Sequence, residues 1–123
     1  MNAKVVELLT KRVYIGTSSW KYPGWKGLVY HRPYKSEKEF QEKCLGEYAE
    51  HYPAVGVDHT YYAWPLPSTF EKYFAETNSS FRFCLKATEA STVFKYPNLK
   101  RYGKVAGKAY PEFLDPGPFI DKF

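Results

Sequence analysis

Residues 36–62, SEKEFQEKCLGEYAEHYPAVGVDHTYY, change from one periodicity to another, and that change decides the fold. In the first part Phe40, Cys44, Leu45, Tyr48, Ala49 and Tyr52 recur three and four apart, the spacing of one helix face. Ser36 followed by Glu39 makes a capping-box pattern, so the stretch predicts a helix from about Ser36 to Tyr52, stopped by Pro53. Gly46 is the one local objection, costing about 1 kcal/mol relative to Ala in a helix interior. From Ala54 to Tyr62 β-branched and aromatic residues take over, which predicts a strand.

Working outward, the same alternation continues on both sides. Upstream, KRVYIGTSSW (residues 11–20) reads as a strand that runs into the turn-forming Tyr22-Pro23-Gly24. Downstream, Pro67 and Ser68 open a second helix with Phe70, Tyr73, Phe74 and Thr77 on one face, closed by Asn78-Ser79-Ser80. FRFCLKAT (residues 81–88) is a third strand. Residues 1–12 form an N-terminal extension. Residues 89–118, punctuated by Pro97, Gly103, Gly107, Pro111 and Pro116, form a long loop before the start of a helix at Phe119–Phe123. Strands alternating with helices imply parallel pairing, so the fold class is α/β.

Side-chain alternation divides each strand into two sets. Val13 and Ile15, Val55 and Val57, and Phe81, Phe83 and Leu85 face the helices. Tyr14, Gly16 and Ser18, then Gly56, Asp58 and Thr60, then Arg82, Cys84, Lys86 and Thr88 face away. Charged residues inside parallel strands are unusual, and a barrel interior with polar groups near one mouth accommodates them.

Composition bounds the rest. The 123 residues make one domain or part of one. An apolar share of 44% with 20% aromatic residues excludes a disordered tail, and the net charge of +5 is unremarkable. Two cysteines forty residues apart, without zinc spacing, read as buried reduced thiols. No secretion signal or membrane span is visible, which points to the cytoplasm. No cofactor motif stands out: GKVAGKA (residues 103–109) lacks the length and the final Ser or Thr of a phosphate-binding loop.

The run Ile15-Gly16-Thr17-Ser18-Ser19-Trp20-Lys21-Tyr22-Pro23-Gly24-Trp25-Lys26-Gly27 resembles the opening signature of the domain of unknown function 72 family, the YecE-like proteins, which typically reads IGTSGWSYPGWRG. Val57–Pro65 resembles that family's second strand end, Phe81–Lys86 its third strand, and Phe113-Leu114-Asp115 with Phe119 its next helix entry. The resemblance implies a (β/α)8 TIM-type barrel without an established activity. Where the family carries Glu two residues before Asn, this sequence has Gly56 and Asp58. Such barrels run about 250 residues, so the chain is expected to supply the first three βα units, truncated. Its partner would then be the missing half of the barrel or a second copy.

Active sites of such barrels lie at the strand C-termini. The expected pocket therefore joins Ser18, Trp20, Asp58, Thr60, Tyr62 and Lys86 around a small anionic or phosphate-bearing ligand, with Lys86 as the cation and Asp58 as the orienting carboxylate or base. An internal Asp58–Lys86 salt bridge without a ligand explains the same charges. Trp20, Trp25, Tyr61, Tyr62 and Trp64 can stack on a base or sugar, or pack as a loop mini-core. His59 is expected to point toward the helices, His31 and His51 suggest no site, and no metal set is apparent. Lys95, Lys100, Arg101, Lys104 and Lys108, interleaved with Tyr96 and Tyr102 and lacking any acid, form a second candidate that binds nucleic acid. A solvated basic loop explains them equally, and a non-functional fragment is a third reading of the chain. Whether the domain is an enzyme is left open by these residues.

Overall fold

The computed structural model describes residues 1–123. Its helices are α1 (Ala3–Thr10), α2 (Glu37–His51), α3 (His59–Tyr62), α4 (Pro67–Glu76), α5 (Glu89–Thr92) and α6 (Pro116–Lys122). Its strands β1 (Gly16–Thr17), β2 (Ala54–Val57) and β3 (Arg82–Leu85) form one parallel sheet in the order β1-β2-β3. The class is α/β, as the alternation predicts. The chain divides into two compact units, Met1–Asp58 with Leu66–Leu85, and His59–Pro65 with Lys86–Phe123. No helix is long and apolar enough to cross a membrane.

The first unit holds the core. Ser36 accepts a hydrogen bond from the Glu39 N–H at 3.1 Å and caps α2. Glu39 reaches back to the Lys35 N–H at 2.7 Å, one residue upstream of the usual capping-box partner. The face of α2 carrying Phe40, Cys44, Leu45 and Tyr48 is buried with Val55 and Val57 of β2, Tyr73 of α4, and Trp20, Tyr30 and Phe81. Each such side chain contributes roughly 1.5–3 kcal/mol when fully removed from water. Gly46 does not interrupt α2; its N–H donates to Glu76 at 3.2 Å and ties α2 to the end of α4.

Two features set the approach of β1 to β2. A Cβ on Gly16 would run into the Ala54 carbonyl, and one on Gly56 would stand 3.0 Å from Ser18 Cα. Tyr48, fully buried, accepts from the Thr17 N–H and donates to the Ala54 carbonyl, both at 2.9 Å. One hydroxyl thus fastens α2 to both strands.

The strands are shorter than their sequences suggest. The first is expected over residues 11–20 but pairs only at Gly16 and Thr17, and Val13 and Ile15 are exposed rather than helix-facing. Arg12, at φ 59, turns the chain just after α1, so no extended run precedes Val13. The second strand ends at Val57 and the chain turns into α3, so the alternation that aims Asp58 and Thr60 inward does not reach them. The third ends at Leu85, before Lys86 and Thr88. On α4 Tyr73 is buried but Phe74 is 59% exposed. Of the thiols only Cys44 is buried; Cys84 is exposed with Arg82 on the sheet face away from the helices.

In the second unit the expected loop at residues 89–118 carries structure. Thr88 caps α5, accepting from the Ala90 N–H at 3.4 Å. Backbone bonds from Tyr96 N to Lys108 O, Gly107 N to Tyr96 O and Tyr110 N to Phe94 O, each 3.0 Å, close the base of an excursion containing a 3-10 run at Lys100–Val105. Gly103 and Gly107 take positive φ there (51° and 70°), a region that glycine enters without a Cβ clash. Asp115 caps α6 through the Gly117 N–H at 2.9 Å.

Candidate functional site

Of the six expected strand-end residues, Ser18, Trp20 and Asp58 belong to the first unit and Thr60, Tyr62 and Lys86 to the second. Ser18 is exposed just past β1, and Asp58 is half-buried immediately after β2. Trp20 is a core residue, 3% exposed, with its ring edge-on to Tyr73 at 5.1 Å and its carbonyl accepting the Tyr30 hydroxyl. Its packing, rather than a surface position, accounts for its large apolar ring. The other aromatics do not gather into one cluster: Trp25 packs on Tyr22 at 4.6 Å in the first unit, whereas Tyr61, Tyr62 and Trp64 belong to the second.

In the second unit Thr60 is fully buried and its hydroxyl donates to the Lys86 carbonyl at 2.8 Å. Thr60 therefore fixes the backbone from which the exposed Lys86 side chain departs. Two residues on in α3, Tyr62 presents a ring that is 61% exposed. The Arg101 guanidinium lies 5.6 Å from the centre of that ring and 4.7 Å from that of Tyr102. A guanidinium over an aromatic face is attracted by the negative face of the ring. Arg101 Nη2 also donates to the Tyr102 hydroxyl at 2.6 Å, and that hydroxyl donates to Glu89 at 2.9 Å. The bond to Tyr102 favours the guanidinium's charged form and raises its pKa further. The result is an exposed, oriented cation beside an exposed ring.

The structure thus brings Tyr62, from the strand-end set, against Arg101, from the basic set. Lys95, Lys100, Lys104 and Lys108 are exposed around the same excursion. Tyr96 and Tyr102, expected to stack on bases, are half-buried and pack on each other at 5.3 Å, with Tyr96 also edge-on to Tyr110 at 5.5 Å. His59, expected to face the helices, is exposed because it starts α3 instead of continuing β2.

Glu47, which the motif reading passes over, is the buried acid of the first unit, 3% exposed. It accepts from His31 N (2.6 Å), Arg32 N (3.0 Å) and the Tyr34 hydroxyl (2.8 Å). Burial alone would raise its pKa; these donors outweigh it and hold the carboxyl below its ordinary range. The signal for it is positional, since Glu47 falls three residues after Cys44 on the apolar face of α2.

Residues 14–115, which include the opening signature, the strand ends and the basic excursion, match the family described as Protein of unknown function DUF72. The chain belongs to this family. Over 74 residues this DUF72 chain is 32% identical to UPF0759 protein YecE of Escherichia coli strain K12, and equally to UPF0759 protein YecE of Escherichia coli O157:H7. The aligned stretch is 60% of the DUF72 chain and only 23% of each relative. No solved structure matches it.

Proposed function

We propose that this chain supplies the opening βα units of a YecE-like (β/α)8 barrel and that its second unit binds a small phosphate-bearing ligand through Arg101 and Lys86, with Tyr62 offering a ring face. The observation that carries the reading is the Arg101 side chain, set over the rings of Tyr62 and Tyr102 and bonded to the Tyr102 hydroxyl while still exposed. A guanidinium so restrained loses little freedom on binding, and its planar fork matches two phosphate oxygens. Thr60 supports the reading by anchoring the backbone of Lys86. The barrel itself rests on family membership and on the parallel α/β order, with further strands covering the sheet face that carries Arg82 and Cys84.

Isothermal titration with inorganic pyrophosphate tests the ligand reading. The expected result is saturable binding that falls about tenfold in Arg101→Ala and in Lys86→Ala, the loss of roughly one charge-assisted contact each. Unchanged affinity in both variants refutes it. A second reading, nucleic-acid binding, is favoured by five exposed cations on one backbone-closed excursion. It requires that a labelled oligodeoxythymidine bind with steep salt dependence and that neutralising Lys100 and Lys104 flatten that slope; salt-insensitive binding refutes it.

A further inference from the structure

We infer that His31 and His51 together form a two-imidazole site for a divalent transition metal of the copper class. The two rings belong to different segments of the first unit, His31 to the loop before α2 and His51 to the last residue of that helix. Their centres stand 6.4 Å apart with planes inclined at 52°. A ring centre lies about 3.2 Å from a metal that its nitrogen binds at about 2.0–2.1 Å. Two imidazoles on one ion are therefore about 6.4 Å apart when opposed and about 5.2 Å apart at a tetrahedral angle. The observed spacing is that of opposed positions, the arrangement a tetragonal ion offers, and ligation follows once each ring turns a nitrogen toward the midpoint between them.

The frame beneath the rings is already fixed. Glu47, one helical turn before His51 on α2, accepts the backbone N–H of His31 at 2.6 Å and that of Arg32 at 3.0 Å. Arg32 is paired in addition with Glu50, next to His51 in the chain. Loop and helix end are thus tied to each other at the residues flanking both rings, and only side-chain rotation remains for ligation. His31 is exposed and His51 half-buried, so an ion reaches the pair from solvent. No group of three or more His, Cys, Asp or Glu side chains is arranged to hold a metal ion. The remaining coordination positions therefore fall to water. Such a site favours Cu²⁺, the divalent ion that nitrogen ligands bind most tightly.

The test is titration of the 123-residue chain with Cu²⁺ in a non-coordinating buffer, read by electron paramagnetic resonance. The expected result is one bound equivalent with hyperfine structure from two imidazole nitrogens. Because the second imidazole binds as an intramolecular event, His31→Ala and His51→Ala should each weaken binding by roughly 100-fold. His31→Gln and His51→Gln repeat the test should circular dichroism reveal that an Ala variant disturbs the loop. A signal from one nitrogen or none, or a loss of less than about tenfold in either substitution, overturns the site.

Discussion

Replacing Glu47 by Ala removes the carboxylate that organises the loop from His31 to Tyr34. Three donors reach it, at 2.6, 3.0 and 2.8 Å, while the side chain itself is 3% exposed. A hydrogen bond to a charged group contributes about 1.5–3 kcal/mol. The three do not add in full, because His31 and Arg32 are exposed and water can replace the acceptor for their N–H groups. Tyr34, half-buried, is the donor that water serves least well. The expected cost of Glu47→Ala is therefore about 3 kcal/mol, one full bond plus part of the others. Glu47→Gln keeps one acceptor oxygen for the His31 and Arg32 N–H groups, loses the charge, and turns an NH2 toward the Tyr34 hydroxyl, which must then accept instead of donate, for about 1 kcal/mol. Urea unfolding followed by tryptophan fluorescence measures both. Acid adds a signature: a carboxyl held below its ordinary range contributes stability above that range and loses it as pH falls through its lowered value. The native chain and Glu47→Gln should consequently differ most near neutrality and converge in acid. An Ala variant within about 0.5 kcal/mol of the native chain, or a constant difference from Gln across the acid range, refutes the clamp.

Gly16→Ala places a Cβ against the Ala54 carbonyl, a backbone group that cannot step aside, so it should cost at least about 2 kcal/mol in urea unfolding; a neutral result would mean that β1 and β2 do not approach as described. Tyr48→Phe removes the hydroxyl shared by the Thr17 N–H and the Ala54 carbonyl and should cost about 2 kcal/mol. Hydrogen exchange at Thr17 should quicken in that variant, and unchanged protection would contradict the bond.

Much of the first unit is legible in local patterns because its elements form where local preference and burial agree. The Ser36 cap and the 3.6-residue spacing of Phe40, Cys44, Leu45 and Tyr48 lead to α2 as built, and Pro67 opens α4 at the first helical position. Val55 and Val57 lie on the buried face of β2 that alternation assigns them. The Ile15–Gly27 signature by itself carries the family resemblance. Local preference failed at Asp58–Tyr62, where β-branched and aromatic residues read as strand. There the Thr60 hydroxyl finds the Lys86 carbonyl twenty-six residues away, and α3 forms instead. Strand alternation then had nothing to say about where Thr60, Tyr62 or Lys86 would sit.

The amino-acid sequence by itself determined the α/β class, the two longer helices with the Ser36 cap of the first, the family, and the stock of cations. Each depends on residues close enough in the chain for spacing to carry the information. Only the tertiary structure decided that Tyr62 lies under Arg101, that Glu47 gathers the His31 loop, and that His31 stands beside His51. Those pairings join residues 13 to 39 positions apart, and what brings them together is the packing of whole elements, which no periodicity along the chain records.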